Sequence, residues 1–290
     1  MGEIASILAP VFLSAALGWG WVRMGRPYDR DLLSRLISDI GAPCLIFSRL
    51  TDVVVDLELM AWMAGIAVLA MTFFGVVGGV VLRLARLPMN TFLAPVTFGN
   101  AGNMGLPLCL FAFGDAGLAL GICYFAVSAL LQFTVGVWIW TGRASFAELL
   151  RTPVAWAIVA ASLVLWSGTE VPVWIQNATD LLGGFAIPLM LITLGVSLAD
   201  LRVETLHRAL GLSVFRLALG FGGGLLLAHL FALDGVARGV LILQCSMPPA
   251  VFNYLFASRY QRSPEEVAGI VVCCTLLSFA TLPFLLAFLL

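Results

Sequence analysis

The chain has 290 residues, of which 61% are hydrophobic and only 11% are charged. A soluble domain carries about 25% charged residues, so a water-soluble fold could not cover its surface with the charges present here. A soluble enzyme, a nucleic-acid-binding protein and a disordered chain are therefore excluded. All fifteen basic residues are arginines, so the chain has neither a lysine for a Schiff base nor a basic tract for nucleic acid. The composition indicates a protein with several membrane spans.

Continuous apolar stretches divide the chain into ten predicted spans. A helix needs about 20 mostly apolar residues to cross the hydrocarbon core of a bilayer. Because these stretches are continuous and do not alternate with polar residues, they predict an all-α polytopic membrane protein and not a β-barrel. Spans six and seven are short, and residues 171–180 between them are expected at the membrane surface. The ten spans are 4–22, 32–50, 59–82, 89–113, 116–140, 152–168, 181–198, 205–231, 236–257 and 267–289.

The arginines are distributed unevenly among the connections between spans. Twelve lie in connections that follow odd-numbered spans, and two, Arg49 and Arg238, follow even-numbered spans. Because cytoplasmic loops carry the excess of positive charge, both termini are predicted to be extracytoplasmic. The first span lacks a basic segment before it, so we interpret it as a retained span and not as a signal peptide. We expect a multi-pass protein of the cell (inner or plasma) membrane.

Proline positions indicate an internal repeat. Three prolines in each half of the chain are separated by 33 and 64 residues in the first half and by 35 and 61 in the second. These are Pro10, Pro43, Pro107, Pro153, Pro188 and Pro249. The spacing predicts two five-helix units, 1–145 and 146–290, and because five is odd the second unit must be inverted in the membrane. The alternative is that proline is simply frequent in membrane helices.

Two spans contain residues that a continuous helix tolerates poorly. Span four holds three glycines, two asparagines and a proline within residues 98–107, and span nine holds Pro248 and Pro249 followed by Asn253. Each glycine costs about 1 kcal/mol against alanine in a helix, and a proline about 3 kcal/mol. Unwound backbone inside a membrane is tolerated only when it is buried in protein or lines a wet cavity. We therefore predict a broken helix in both spans.

An inverted repeat would bring the two breaks together near the middle of the membrane. The N-termini of the half-helices then carry free N–H groups and partial positive charge, which suit a small anion and most simply a carboxylate. The alternative is that the glycines allow close helix packing and the asparagines cap the broken ends. The candidate substrate-binding residues at the breaks are Asn100, Gly102, Asn103, Gly105, Pro107, Pro248, Pro249 and Asn253.

At these positions the chain resembles the auxin efflux carrier family, which includes bacterial members and the plant PIN-type exporters, within the bile/arsenite/riboflavin transporter superfamily. The resemblance extends over essentially the whole chain through the ten-span pattern. Three segments carry it: Asn100-Ala101-Gly102-Asn103-Met104-Gly105-Leu106-Pro107, Pro43-Cys44-Leu45-Ile46-Phe47-Ser48, and Met247-Pro248-Pro249-Ala250 with Phe256-Ala257-Ser258-Arg259-Tyr260.

The resemblance implies crossed broken helices in spans four and nine and an elevator-type carrier of organic anions, commonly a homodimer. It assigns spans one, two, six and seven to a scaffold, and spans three to five and eight to ten to a moving unit. It also implies that Asn100, seven residues before the span-four proline, contributes to the substrate site. The plant members place an acidic–basic pair in span three, whereas residues 59–82 here are apolar or small apart from Thr72.

Three further polar residues inside the spans are candidates for the site. Arg216 lies about ten residues, or roughly 15 Å, into span eight, where it could neutralise a carboxylate, stabilise the break in span nine or extend toward the cytoplasmic surface. Asp39 could carry an ion or a proton, although a pair with Arg35 near the cytoplasmic face is the favoured interpretation. Gln132 shares a face of span five with Ser128 and could line a cavity.

These features favour a secondary carrier of small organic anions embedded in the lipid bilayer. The alternative is a sodium- or proton-coupled symporter or antiporter on a related fold, for which Asp39 is the one acidic candidate well inside a span. An intramembrane enzyme or receptor is disfavoured because the sequence shows neither a catalytic pair nor a signalling domain. The sequence has no zinc-ligand spacing and no Walker motif, so we expect no metal, no cofactor and no ATP hydrolysis.

Overall fold

The computed structural model describes residues 2–52, 56–142, 152–200 and 205–290. These residues form fourteen α-helices, with three π-helical segments, Leu36–Gly41, Ala101–Gly105 and Gln132–Gly136, continuous with them. The α-helices are α1 (Gly2–Arg23), α2 (Arg30–Arg35), α3 (Ala42–Asp52), α4 (Leu57–Leu84), α5 (Met89–Thr97), α6 (Leu106–Leu131), α7 (Val137–Thr141), α8 (Pro153–Ser167), α9 (Val173–Gly184), α10 (Ala186–Asp200), α11 (Leu206–Leu230), α12 (Gly235–Cys245), α13 (Phe252–Arg259) and α14 (Pro264–Leu289).

The described helices are those of a polytopic membrane protein. By length and composition, six helical stretches among them could cross a membrane, and α8 and α12 are apolar but shorter. A helix satisfies its own backbone N–H and C=O groups, which is why apolar sequences of this length are helical in lipid. The six stretches are Ile4–Arg23, Glu58–Leu84, Ala101–Thr141, Val173–Ala199, Leu206–Leu230 and Pro264–Leu289.

The stretch Ala101–Thr141 reverses direction at Gly114. This glycine has a φ of 66°, which L-residues with side chains rarely adopt. Cys109 Sγ lies 3.1 Å from the position that a β-carbon would take on Gly121, whereas twelve residues of straight helix would separate them by about 18 Å. The two halves of α6 therefore run antiparallel, and the predicted boundary between spans four and five falls at this turn.

Residues 171–180, which are expected at the membrane surface, belong largely to helix α9, which packs against α3. Between the two helices, Gln176 Nε2 donates to the Ser48 carbonyl (3.1 Å) and Gln176 Oε1 accepts from Thr51 Oγ1 (3.2 Å). The polar residues of α9 lower its hydropathy, and their partners on α3 cannot be read from the local sequence.

Helices α4 and α11 end in the same kind of turn. Arg86 (φ 56°) and Ala232 (φ 48°) adopt a left-handed conformation two residues after the respective helix. The residue after each then donates its N–H to the carbonyl five residues earlier, at 2.9 Å in both turns. This bond satisfies a carbonyl that would be free at the helix C-terminus. In both cases the next helix, α5 or α12, is the one that leads into a break.

The helices pack in two groups. In the first helix group, α1 packs along α10, and α3 packs against α8 and α9. In the second helix group, α4, α5, α6, α11, α12 and α14 pack with one another. Glycine lets the backbones of α1 and α10 touch, because a β-carbon on Gly195 would overlap the Ala15 carbonyl and one on Gly18 would overlap the Ile192 carbonyl. Small residues are used in this way at helix interfaces in membranes.

Candidate functional site

The two broken helices meet at a contact held by backbone hydrogen bonds. After α5 and α12 the chain becomes extended, and segments 98–100 and 248–250 pair antiparallel, with Gly99 opposite Pro249. The Asn100 N–H donates to the Pro248 carbonyl (2.6 Å). The Ala250 N–H donates to the Phe98 carbonyl (3.1 Å). We call this pair of segments the crossing. It confirms the prediction that the breaks in spans four and nine face each other.

Asn253 strengthens the crossing from the first turn of α13. Its side chain is fully buried, and Nδ2 donates to the carbonyls of Phe98 (3.2 Å) and Ala250 (3.0 Å), which lie on different segments of the crossing. The side chain thus holds together two strands that come from distant parts of the sequence. Asn253 has a structural position here and does not line the cavity described next.

A cavity of about 270 Å³ lies at the crossing, between the two helix groups. Five residues predicted from the sequence line it. These are Asp39, Asn100, Gly102, Asn103 and Gln132. All three π-helical segments contribute to its wall, and such segments are frequent at functional sites. Ligand pockets commonly have volumes of about 300–1,000 Å³, so this cavity suits a small molecule.

Two of the π-helical segments end shortly before a proline. Leu36–Gly41 ends two residues before Pro43, and Ala101–Gly105 ends two residues before Pro107. A proline in a helix has no N–H to donate, and its ring clashes with the carbonyl four residues earlier. For Pro43 this is the Asp39 carbonyl, and for Pro107 it is the Asn103 carbonyl. The wider turn of a π-helix relieves the clash. The two carbonyls are thereby left without their usual helical donor, beside the cavity that both residues line. Pro107 stands in the first turn of α6 and does not cause the break at 98–100.

Asn100 and Gln132, which both line the cavity, carry buried amide donors without partners in the described part of the chain. Asn100 is 4% exposed and Gln132 7% exposed, and neither Asn100 Nδ2 nor Gln132 Nε2 has a hydrogen-bond partner among the described residues. A buried donor without a partner costs about 1–3 kcal/mol, which a hydrogen-bond-accepting ligand would recover. Asn103 is more accessible and lines both this cavity and its neighbour.

The remaining predicted residues of the two breaks lie outside the cavity wall. A β-carbon on Gly105 would overlap the side-chain amide of Gln244, so this glycine leaves room for that glutamine. Pro248 and Pro249 belong to the crossing, and Pro107 lies in the first turn of α6. These residues shape the crossing and the helix that follows it, and they do not contact the cavity.

Arg216 is fully buried beside the crossing and does not line the cavity. Its Nη1 donates to the Cys245 carbonyl at the end of α12 (3.2 Å), and its guanidinium lies 5.2 Å from the centre of the Phe74 ring. Its Nη2 lies 2.6 Å from the position that a β-carbon would take on Gly99. Nη2 and Nε have no partner within the described part of the chain. The arginine therefore stabilises the break in span nine and does not extend to the surface.

Asp39 lines the cavity and does not pair with Arg35. The described residues include no ion pair between the two, and Ser38 Oγ instead donates to Asp39 Oδ1 (2.9 Å). Arg35 lines a neighbouring cavity of about 480 Å³. The interpretation of Asp39 as one half of a surface pair is wrong, because the π-helical segment Leu36–Gly41 disturbs the four-residue spacing that such a pair requires.

Three aromatic rings of the cavity wall were not predicted from the sequence. They belong to Phe125, Phe133 and Phe252. In the sequence each is one of many phenylalanines in apolar spans, with nothing to indicate a place in a site. Phe252 is the exception, because it lies close after the break in span nine. Gly102 makes room for one of them, because a β-carbon there would lie 2.8 Å from the Phe125 ring.

Two other openings differ in character from this cavity. The neighbouring cavity of about 480 Å³ shares Ser38, Asn103 and Phe252 with it and is lined largely by polar side chains. A groove of about 470 Å³ between α11 and α14 is lined mainly by leucine and phenylalanine. Such an apolar outer surface suits contact with lipid chains and not a polar ligand.

Comparison with known proteins identifies similar transporters. Residues 4–149 and 137–286 match the family described as "Membrane transport protein". An uncharacterised transporter of Methanocaldococcus jannaschii is 22% identical over 263 residues, 85% of each chain. One of Methanothermobacter thermautotrophicus is 25% identical over 272 residues, 88% of this chain and 87% of that protein. The protein PIN-LIKES 6 of Arabidopsis thaliana is 30% identical over 112 residues, 38% of this chain and 26% of that protein.

The helical fold and these similarities define a multi-pass membrane transporter and not an enzyme. The chain belongs to the membrane transport protein family, in the group of auxin efflux carriers and PIN-like transporters. The resemblance carried by the segments around Asn100 and Pro249 is thereby confirmed.

Proposed function

We propose that this protein is a secondary transporter of small organic anions, most simply carboxylates, which bind at the crossing. The observation that carries the proposal is the pair of buried, unpaired amide donors of Asn100 and Gln132 in the cavity wall. The helical segments that follow the two breaks begin at Ala101 and Phe252, which line the same cavity. Their N-termini add partial positive charge, and the buried Arg216 lies close by.

The proposed architecture has ten spans in two inverted five-helix units, 1–145 and 146–290. The packing of the helices supports it: α1 packs against α10, that is, span one against span seven, and α8 packs against α3, that is, span six against span two. Spans one and six are equivalent in the two units, and so are spans two and seven. The two contacts are therefore equivalent to each other, as expected for an inverted repeat.

The proposed mechanism is an elevator in which the second helix group slides against the first. The cavity lies on the boundary between the groups, with Asp39 and Met190 on the first and Asn100 and Gln132 on the second. Both segments of the crossing belong to the second group, so the amide donors and the two helix N-termini would travel together. Sliding would then carry an intact site from one side of the membrane to the other.

An inward-open arrangement is the proposed state of this structure. The arginine distribution supports a cytoplasmic position for the polar cavity of about 480 Å³, which reaches Arg35 and Ser258. On the opposite side, Arg49 of the first group and Asp115 of the second form an ion pair (3.5 Å). An exposed pair of this kind is worth about 0–1 kcal/mol, so it can break when the groups slide.

Replacement of Asn100 by alanine tests the proposed site. We expect Asn100→Ala to lower carboxylate uptake into proteoliposomes by about tenfold, because the ligand loses one hydrogen bond to its charged group. Expression and thermal stability should stay near those of the wild type. Asn90→Ala, in the first turn of α5 and outside the cavity wall, is the matched control. Wild-type uptake in Asn100→Ala would remove this residue from the site.

A cross-link between the two helix groups tests the elevator. With the native cysteines replaced, Arg49→Cys and Asp115→Cys joined by a short reducible linker should lower flux about tenfold, and reduction of the linker should restore it. The control joins Arg208→Cys to Glu266→Cys, whose native side chains form an ion pair within the second group (2.6 Å). That cross-link should leave flux unchanged. Undiminished flux through the Arg49–Asp115 cross-link would contradict the mechanism.

A cation-coupled carrier is the second candidate function, because Asp39 places a carboxylate in the cavity wall. Coupling predicts that a sodium or proton gradient drives uptake when substrate concentrations are equal on both sides. Proteoliposomes with imposed gradients measure this directly. Flux that follows only the substrate gradient would exclude the coupled forms.

A further inference from the structure

We propose that the substrate carries an ammonium group besides its carboxylate, so that the ligand class is a zwitterion of the amino-acid type with an apolar or aromatic side chain. This inference rests on the proposed function, the binding of a carboxylate at the crossing, and replaces the simple anion by a zwitterion. It follows from the chemistry of the two walls of the cavity, with Asp39 on one side and the amides of Asn100 and Gln132 on the other.

The part of the cavity wall that belongs to the first helix group contains the Asp39 carboxylate, which accepts one hydrogen bond from the described residues. Asp39 lies in the segment Leu36–Gly41, which packs with α2, α3 and α8 to α10. The Asp39 side chain is exposed, Ser38 Oγ donates to Oδ1 (2.9 Å), and Oδ2 has no donor among the described residues, so this oxygen is free to accept from a ligand. A carboxylate in this position attracts a ligand ammonium. The same wall therefore selects for a positive group on the ligand.

The wall of the second helix group presents the opposite chemistry. Asn100 Nδ2 and Gln132 Nε2 are buried donors without partners, and the helical segment that begins at Ala101 directs its N-terminus to the same place. These groups suit a carboxylate. A simple acid would leave Asp39 unpaired, and a simple amine would leave the amides unpaired. A zwitterion satisfies both walls at once.

The rings of Phe125, Phe133 and Phe252 complete the ligand description. Aromatic faces attract an ammonium group and also offer apolar contact to a side chain. A volume of about 270 Å³ is at the small end of ligand pockets, which suits a single amino acid better than a peptide. Size, aromatic surface and the acidic and amide groups of the wall thus agree on one class of ligand.

The test compares three probes that share a phenyl ring: L-phenylalanine, 3-phenylpropanoate, which lacks the amine, and 2-phenylethylamine, which lacks the carboxylate. Affinities for the full-length protein in lipid nanodiscs are measured by ligand-induced thermal shift and by calorimetry. We expect phenylalanine to bind at least about tenfold more tightly than either partial ligand. Asp39→Asn should weaken phenylalanine about tenfold and leave 3-phenylpropanoate within about threefold. Asp39→Glu should restore part of the loss.

Glu170→Gln removes an exposed carboxylate that is not part of the cavity wall and is the matched control. Equal affinity for the acid and the amino acid in the wild type would overturn the inference and leave the proposed function standing. So would an Asp39→Asn variant that binds both more tightly by the same factor, since Asp39 would then only repel anions. If neither carboxylate-bearing probe nor any simple mono- or dicarboxylate binds, the proposed function fails and this inference fails with it.

Discussion

Alanine at Gly195 is expected to lower the free energy of unfolding by about 3 kcal/mol, near the upper end of the usual cost of overpacking. A β-carbon at this position would overlap the Ala15 carbonyl oxygen and lie 2.6 Å from its carbonyl carbon. The obstacle is backbone of α1 and not a flexible side chain, so α1 and α10 would have to separate along their whole contact. Thermal denaturation of purified protein, followed by tryptophan fluorescence, measures the effect.

Gly20→Ala is the matched control for Gly195→Ala. Gly20 lies on α1 as well, but a β-carbon there would meet nothing within 4 Å. Alanine is the better helix former, so this variant should be unchanged or more stable by up to about 1 kcal/mol. Equal melting temperatures for the two variants would show that the helices are not in backbone contact at Gly195.

Methionine at Arg216 is expected to weaken carboxylate binding by about thirtyfold without a matching loss of stability. The guanidinium approaches Gly99, which lines the cavity. At a separation of about 7 Å, a buried charge attracts a carboxylate by roughly 2 kcal/mol at an effective dielectric constant of about 20. The variant loses the bond to the Cys245 carbonyl but no longer buries an unpaired guanidinium, so the free energy of unfolding should change by less than about 2 kcal/mol. Ligand titration and thermal denaturation of the same sample separate the two effects.

Arg238→Met provides the comparison for Arg216→Met, because Arg238 also lies over a phenylalanine ring, that of Phe288, at 5.3 Å. Arg238 is outside the crossing and the cavity wall. Its replacement should leave binding unchanged. If Arg216→Met unfolds the protein and carboxylate affinity per folded molecule is normal, the arginine serves only to hold the end of α12.

The sequence predicted those features of the fold that depend on local composition. Apolar stretches predicted most helices to within a few residues, and the clusters around Asn100 and Pro249 predicted where the helices break. The helix that contains Gln176 was missed because its polar groups find partners on α3, which is distant in sequence. A local hydropathy pattern carries no information about such partners.

The candidate site was predicted less completely than the fold. Asn100, Asn103 and Gln132 line the cavity as expected, because polar groups in apolar spans stand out in a sequence. The position of Asp39 depends on the π-helical segment that relieves the clash of Pro43, and a prediction based on regular helical spacing paired it with Arg35 instead. The phenylalanines of the wall carry no such signal, since apolar residues are common throughout the spans.

The crossing has a consequence for how relatives of this protein can diverge. Its two segments are held together by main-chain hydrogen bonds and by the side-chain amide of Asn253. The side chains of Asn100, Gln132 and Asp39 make none of these bonds. Mutation can therefore alter which cargo is accepted while the architecture that carries it persists. One scaffold can in this way serve chemically diverse molecules over evolutionary time, and selectivity can be reprogrammed in the laboratory by a few substitutions without redesigning the fold.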